Sequence, residues 1–205
     1  MIKDRFLARL EQLVAHGQRR ILGLVGAPGA GKSTLAEQIL EALPGRAVIV
    51  PMDGFHLANA ELERLGRASR KGAEDTFDSA GYVALLNRLR TQRHGETVYA
   101  PAFRREIEEP VAGAIPVSPD VPLVITEGNY LLLEHGHWGA VRPLLDEAWY
   151  VDVDPELRRQ RLVARHVRFG RDEAAARNWV QQTDEPNAVV IDATRVRADL
   201  VFRWS

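Results

Sequence analysis

Cysteine is absent from the 205-residue chain. That excludes a disulfide framework, a thiolate nucleophile and cysteine-ligated zinc, and it accords with a reducing compartment. Neither sign of charge prevails, because 27 lysines and arginines stand against 28 aspartates and glutamates. Without a broad basic excess, neither nucleic acid nor a membrane surface is expected as the main partner. No apolar run is long enough to span a bilayer. The first segment carries Asp4 and Glu11 and lacks the continuous apolar stretch of a signal peptide. Repeats and low-complexity linkers are missing too, so residues 1–205 are expected to form one domain with a sizeable core. The Asn-Lys-x-Asp signature of guanine recognition does not occur. Asp78-Ser79-Ala80-Gly81 has the spelling D-x-x-G, but it follows polar Glu74-Asp75-Thr76 rather than a strand and is set aside.

Near the start of the chain stands Gly26-Ala27-Pro28-Gly29-Ala30-Gly31-Lys32-Ser33, a match to G-x-x-x-x-G-K-[ST]. In such a loop, glycines let the backbone turn tightly and aim its N–H groups at phosphate oxygens. Lys32 supplies a charge for the β- and γ-phosphates, and the Ser33 hydroxyl can hold Mg²⁺. The surroundings suit this reading. Ile21 to Val25 is a short apolar run suited to a buried strand, and Leu35, Ala36, Ile39, Leu40 and Leu43 gather on one helical face before Pro44-Gly45. A strand, a glycine loop and a helix N-terminus together make an anion site. Gly26, Ala27, Pro28, Gly29, Ala30, Gly31, Lys32, Ser33 and Thr34 are therefore the candidate nucleotide-binding residues, with ATP and Mg²⁺ as the expected cofactors.

Strand and helix patterns alternate along the rest of the chain, which predicts a mostly parallel sheet covered by helices. Ile2, Phe6, Leu10, Leu13 and Val14 have helical spacing, so the first segment is expected to pack on the domain. Further strands are predicted at 47–50, 123–126, 148–153 and 200–202. Helices are predicted at 78–93, with Tyr82, Leu85, Leu86 and Leu89 inward, at 138–145, after Asp154-Pro155, and at 173–182. Residues 56–71 suggest a flap, and residues 97–115, with two prolines, suggest a hairpin or an excursion from the sheet.

Several candidate residues follow from position. Ligands of an open parallel sheet bind beyond the carboxyl ends of its strands, which puts Asp53, in Met52-Asp53-Gly54-Phe55-His56, near the mouth of the loop. Asp53 can accept the proton of an attacking hydroxyl, and His56 is a candidate substrate contact. Glu127 ends the 123–126 strand, where an acidic residue can hold Mg²⁺ or its water. Arg158, Arg161, Arg165 and Arg168, spaced by three, four and three, share one helix face and suit an anion opposite. Arg161 and Arg165 are the best candidates for a lid, at about residues 154–171, that closes on a triphosphate. His135-Gly136-His137 lacks further ligands nearby and reads as a polar loop.

The ordered set of motifs is familiar. After the phosphate loop come Pro51-Met52-Asp53-Gly54-Phe55-His56, Arg70-Lys71-Gly72, Thr76-Phe77-Asp78, Tyr99-Ala100-Pro101-Ala102-Phe103, Thr126-Glu127-Gly128-Asn129-Tyr130 and the arginine helix. This set resembles the phosphoribulokinase, uridine kinase and bacterial pantothenate kinase family of P-loop kinases, and within it small fructose-transport or fructokinase-like members. The resemblance implies a three-layer α/β P-loop fold with a helical lid, Mg²⁺-ATP as donor and a small-molecule hydroxyl as acceptor. It implies catalytic roles for Lys32, Asp53 (base or substrate anchor), Glu127, Arg161 and Arg165. It also implies substrate contacts at Lys71, Phe77, Phe103, Asn129 and Tyr130. Arg104 stands where similar proteins often have an aspartate, which points to a different or more anionic acceptor if that position touches substrate. A sugar is the preferred acceptor, with a nucleoside or pantothenate as alternatives. A nucleotide-dependent switch is the alternative of another class, and a nucleic-acid kinase or motor is disfavoured by charge and length. A cytoplasmic location is expected, and a homodimer is left open.

Overall fold

The computed structural model describes residues 2–15 and 17–204. In chain order the elements are helix α1 (Asp4–Val14), strand β1 (Arg20–Val25), α2 (Lys32–Ala42), β2 (Ala47–Ile49), α3 (Asn59–Arg64), α4 (Ser79–Arg90), β3 (Val98–Arg104), β4 (Glu109–Val117), β5 (Leu123–Gly128), β6 (Glu147–Asp152), α5 (Pro155–Arg168), α6 (Glu173–Trp179), α7 (Glu185–Asp192) and β7 (Leu200–Arg203). Five strands form one sheet in the order β2-β5-β1-β6-β7, and every pairing in it is parallel. The antiparallel hairpin β3-β4 is a separate two-stranded sheet.

The near-continuous apolar character of the central strands follows from burial on both faces. In β1, Ile21 and Val25 enter one core and Leu22 and Leu24 the other. In β6, Ala148 and Tyr150 alternate with Trp149 and Val151 in the same way. On the first face lie Tyr82, Leu85, Leu86 and Leu89 of α4, with Trp138 and Leu131. The second face is covered by Phe6 and Leu10 of α1 and by Leu35 and Ile39 of α2. Helices, sheet and helices thus make three layers.

Some expectations need correction. Leu40 is 37% exposed, because it falls at the edge of the α2 stripe, beyond Ala36. The helix expected at 138–145 is two 3₁₀ turns, Gly136–Ala140 and Arg142–Leu144, with Pro143 in the first turn of the second. The helix expected at 173–182 is α6 followed by a π-helical turn, Val180–Asp184, and then α7. The flap at 56–71 contains α3, whose Leu62 is fully buried. Asp78 caps α4, its Oδ1 accepting from Gly81 N at 2.8 Å, so the D-x-x-G spelling is a helix start.

Candidate active site

Because β1 lies at the centre of the sheet, the phosphate loop leaves it in the middle of the carboxyl edge. Parallel pairing sets Leu24 beside Glu127 and Val25 beside Gly128, so the loop and the end of β5 are neighbours. Gly29 and Gly31 have φ of +79° and +88°, values that favour glycine. A Cβ on Gly29 would come 2.8 Å from Leu162 Cγ, and one on Gly31 would come 2.9 Å from Trp204 Nε1. Gly31 is the N-cap of α2 and no side chain caps that end, which leaves its first N–H groups for an anion.

Lys32 is 8% exposed. Its Nζ donates to Gly26 O at 2.9 Å, Ala27 O at 3.2 Å and Asn129 Oδ1 at 2.7 Å. Burial pushes its pKa below the ordinary lysine value, and the Glu127 and Asp53 carboxylates oppose that shift. Ser33 Oγ donates to Glu127 Oε1 at 3.0 Å. Glu127 is itself buried, and burial first and then the Asp53 charge raise its carboxyl above the ordinary range. A hydroxyl and a carboxylate side by side beneath an anion cradle suit a hard divalent cation that keeps phosphate oxygens among its ligands. The described residues contain no cluster of three or more His, Cys, Asp or Glu able to hold a metal by itself.

Asp53 sits in the 3₁₀ turn Met52–Phe55 that follows β2, with Arg105 3.6 Å from its Oδ2. His56 Nδ1 donates to Asp53 O at 2.8 Å, which leaves Nε2 as the acceptor nitrogen of a neutral ring. The ring packs at a tilt between Phe77 at 4.0 Å and Phe103 at 4.7 Å. Burial lowers its pKa. Lys71 Nζ lies 5.2 Å from the centre of the Phe103 ring and donates to Asn59 Oδ1 at 2.6 Å and to Glu108 O.

One cavity of about 750 Å³ joins these groups. Of the candidates, Pro28, Gly29, Gly31, Lys32, Ser33 and Thr34 line it on the loop side, and Asp53, His56, Lys71, Phe77, Phe103, Glu127 and Asn129 line it opposite. Arg161 and Arg165 of α5 line it as well. Burial and the nearby Arg105 lower the Arg165 pKa. The remaining loop members serve the cradle from behind, through the carbonyls of Gly26 and Ala27 on Lys32 and that of Ala30 on Trp204 Nε1 at 2.8 Å.

Four candidates are placed otherwise. Tyr130 is 1% exposed and does not line the cavity; its hydroxyl donates to Gly72 O at 2.6 Å and its ring packs on Phe77 and Trp138. It follows inward-facing Asn129 and turns the other way. Arg158 is buried and paired with Glu185 beneath Pro28, and Arg168 is exposed and lies outside the cavity. Arg104 also points away, and it is Arg105, in the turn after β3, that enters. The sequence reading missed Arg105, Asn59, Trp204, and the α6–α7 wall of Trp179, Thr183, Asp184 and Asn187. For that wall one signal was present, the spacing by four of Trp179, Thr183 and Asn187, which sets them on one helical side.

The arrangement can bind a polyphosphate next to a base and a small chamber, the layout required for phosphoryl transfer. Comparison with known proteins agrees. The model of the "Phosphoribulokinase / Uridine kinase family" matches residues 21–204. A Schizosaccharomyces pombe (strain 972 / ATCC 24843) protein named "Putative uridine kinase C227.14" is 34% identical over 98% of this chain and 89% of its own. "Pantothenate kinase" of Limosilactobacillus reuteri subsp. reuteri (strain JCM 1112) is 33% identical over 77% of this chain and 51% of its own. The crystal structure of a "putative fructose transport system kinase" from Silicibacter sp. TM1040 superposes with a TM-score of 0.85 at 38% identity, covering 96% of this chain and 98% of that one. The site and these relatives together make the chain an ATP-dependent phosphotransferase with a small-molecule substrate, and it belongs to the Phosphoribulokinase / Uridine kinase family.

Proposed function

We propose that the protein transfers the γ-phosphoryl group of ATP to a hydroxyl of a sugar. The observation that supports this best is the single cavity in which the phosphate loop, the Ser33–Glu127 pair and Asp53 all meet. In this reading the loop N–H groups and Lys32 hold the triphosphate, and Lys32 leaves its Gly26 and Ala27 carbonyls to do so. Ser33 and Glu127 hold Mg²⁺, which supplies neutralisation of phosphate charge. Asp53 takes the acceptor proton as the hydroxyl oxygen bonds to the γ-phosphorus and the bond to the ADP oxygen breaks. Arg161 and Arg165 form the working part of a lid, stabilising charge on the transferred group while closure keeps water from acting as the acceptor. His56, Lys71, Phe77, Phe103 and Asn129 bound the acceptor chamber. The sugar preference draws on the relative described as a fructose transport system kinase and on the aromatic wall. A cytoplasmic setting belongs to the proposal, since ATP is the donor and the chain has no cysteine.

An ATP-consumption screen across sugars, nucleosides and pantothenate tests this reading, with turnover expected for a sugar. Lys32→Ala is expected to abolish turnover with an unchanged circular dichroism spectrum. Asp53→Asn is expected to bind ATP normally and to lose roughly 10²–10⁴-fold in kcat. Wild-type turnover in Asp53→Asn would remove Asp53 as the base. Tight ATP binding with no acceptor consumed would move the assignment to a nucleotide-dependent switch.

A further inference from the structure

Asp184 is 7% exposed and lines the cavity from the π-helical turn between α6 and α7. Its Oδ2 is held by His166 Nε2 of α5 at 2.9 Å, and its Oδ1 takes no hydrogen bond among the described residues. Oδ1 stays open to the cavity, so it can accept a hydrogen bond from a bound ligand in place of water. The extra residue of a π turn re-aims side chains, and such turns recur at functional sites. Asp184 shares this cavity with Asp53, Arg105 and Glu108, the groups around the acceptor chamber.

Apart from Arg161 and Arg165, assigned above to the transferred phosphate, the cations that line the cavity beside Asp184 already have partners. Lys71 donates to Asn59 and Glu108, Arg105 is on Asp53, and the Arg171 guanidinium lies 3.9 Å from the Trp179 ring centre. Asp184 thus offers the chamber an acceptor that no protein donor occupies. The same cavity is lined by the Phe77, His56 and Phe103 rings, packed in series with tilts of 43° and 45°. A ligand with hydroxyls on one edge and C–H groups on a face satisfies both sides.

We infer that Asp184, positioned by His166, is the specificity-determining residue for the acceptor, and that it takes hydrogen bonds from hydroxyls of an uncharged, polyhydroxylated compound lying on the His56–Phe77–Phe103 wall. This rests on the kinase reading above and adds the residue that recognises the acceptor's hydroxyls. It replaces the anionic acceptor that Arg104 suggested, since that side chain lies outside the cavity.

The test measures ATP consumption by the full chain with hexoses, pentoses and ribonucleosides on one side and pantothenate, a carboxylate, on the other. The wild type phosphorylates a polyhydroxylated compound in preference to pantothenate. With that compound, Asp184→Asn raises the acceptor KM roughly ten- to a hundredfold, the worth of a charge-assisted hydrogen bond, and leaves the KM for ATP within twofold (about 0.4 kcal/mol). A deoxy analogue lacking the recognised hydroxyl shows the same loss in the wild type and no further loss in Asp184→Asn, and a purely structural Asp184 cannot give that non-additivity. His166→Gln, which keeps a donor to Oδ2, retains the wild-type acceptor KM, whereas His166→Ala raises it. Turnover of pantothenate but of no polyhydroxylated compound overturns the inference and leaves the kinase reading standing. So does an Asp184→Asn variant whose acceptor KM is unchanged. Absence of turnover with every compound removes the kinase reading itself and the inference with it.

Discussion

Glu127 is a carboxylate enclosed at the end of a core strand, with Ser33 as its hydrogen-bond donor. Burial and the Asp53 charge raise its pKa from the ordinary 4.5, so the folded protein binds a proton there more tightly than the unfolded chain does. The stability this contributes is complete below 4.5 and is lost as pH rises through the folded value. Glu127→Gln, which cannot ionise, is therefore expected to melt higher than the wild type at pH 8, with the gap shrinking towards pH 4, while its turnover falls. A melting-temperature series across pH checks the sign. A gap that widened in acid would mean that the site favours the charged form. Lys32, Ser33, Asp53 and Glu127 could all be found in the sequence because each stands a fixed step beyond a recognisable strand. Arg105 and Asp184 could not. Their meeting with Asp53 and the aromatic wall depends on how the hairpin and the α6–α7 pair fold back over the sheet, and no local spacing encodes that. Strand alternation explains the displacement from Arg104 to Arg105, since Phe103 points inward and its neighbour must point out.

Helix α5 shows how far helical spacing can be trusted. Its four arginines share one side as expected, but from Arg158 to Arg168 the axis advances about 15 Å, farther than one triphosphate reaches. Arg158 is instead a brace, joining α5 to α7 through Glu185 and to the phosphate loop through Pro28 O. Glu185→Gln is expected to lower stability by about 1–3 kcal/mol, discounted from a fully buried pair because Glu185 is partly exposed. Arg161→Ala and Arg165→Ala should melt within a degree or two of the wild type and lose roughly 10²–10³-fold in kcat. Urea unfolding alongside initial-rate kinetics separates the two classes, and a large stability loss in Arg165→Ala would place that residue with the brace. Element types were legible wherever an apolar period was long, as in α1, α4 and the core strands. They were not legible at 138–145 and 180–184, where 3₁₀ and π turns carry no distinctive period.

Over the whole molecule, the sheet order brings side chains to the phosphate loop from both sides of β1. Asp53 and Glu127 lie beyond β2 and β5, and Trp204 follows β7 at the other edge, against Gly31. A nucleotide on the loop therefore ties the central strand to both α2 and α5. At a hundred times its dissociation constant, a non-hydrolysable ATP analogue should add about 2.7 kcal/mol to stability. For a chain of this size that is a rise of roughly 5–10 °C in melting temperature, to be read by thermal shift and absent in Lys32→Ala. The all-parallel order was foreshadowed by the alternation of helix and strand patterns, whereas the detachment of β3-β4 was not, because two strands with prolines can join a sheet edge or leave it.

That detachment carries a consequence for descent. The hairpin shares no ladder with the five-stranded sheet, yet it delivers Phe103 and Arg105 to the cavity. Mutations at its tip, at Phe103 and Arg105, can reshape the chamber without touching the ATP cradle, while Val98, Ala100 and Val117 at its base stay anchored in the main core. Lineages built on this frame can thus diverge in what they phosphorylate while inheriting how they phosphorylate it.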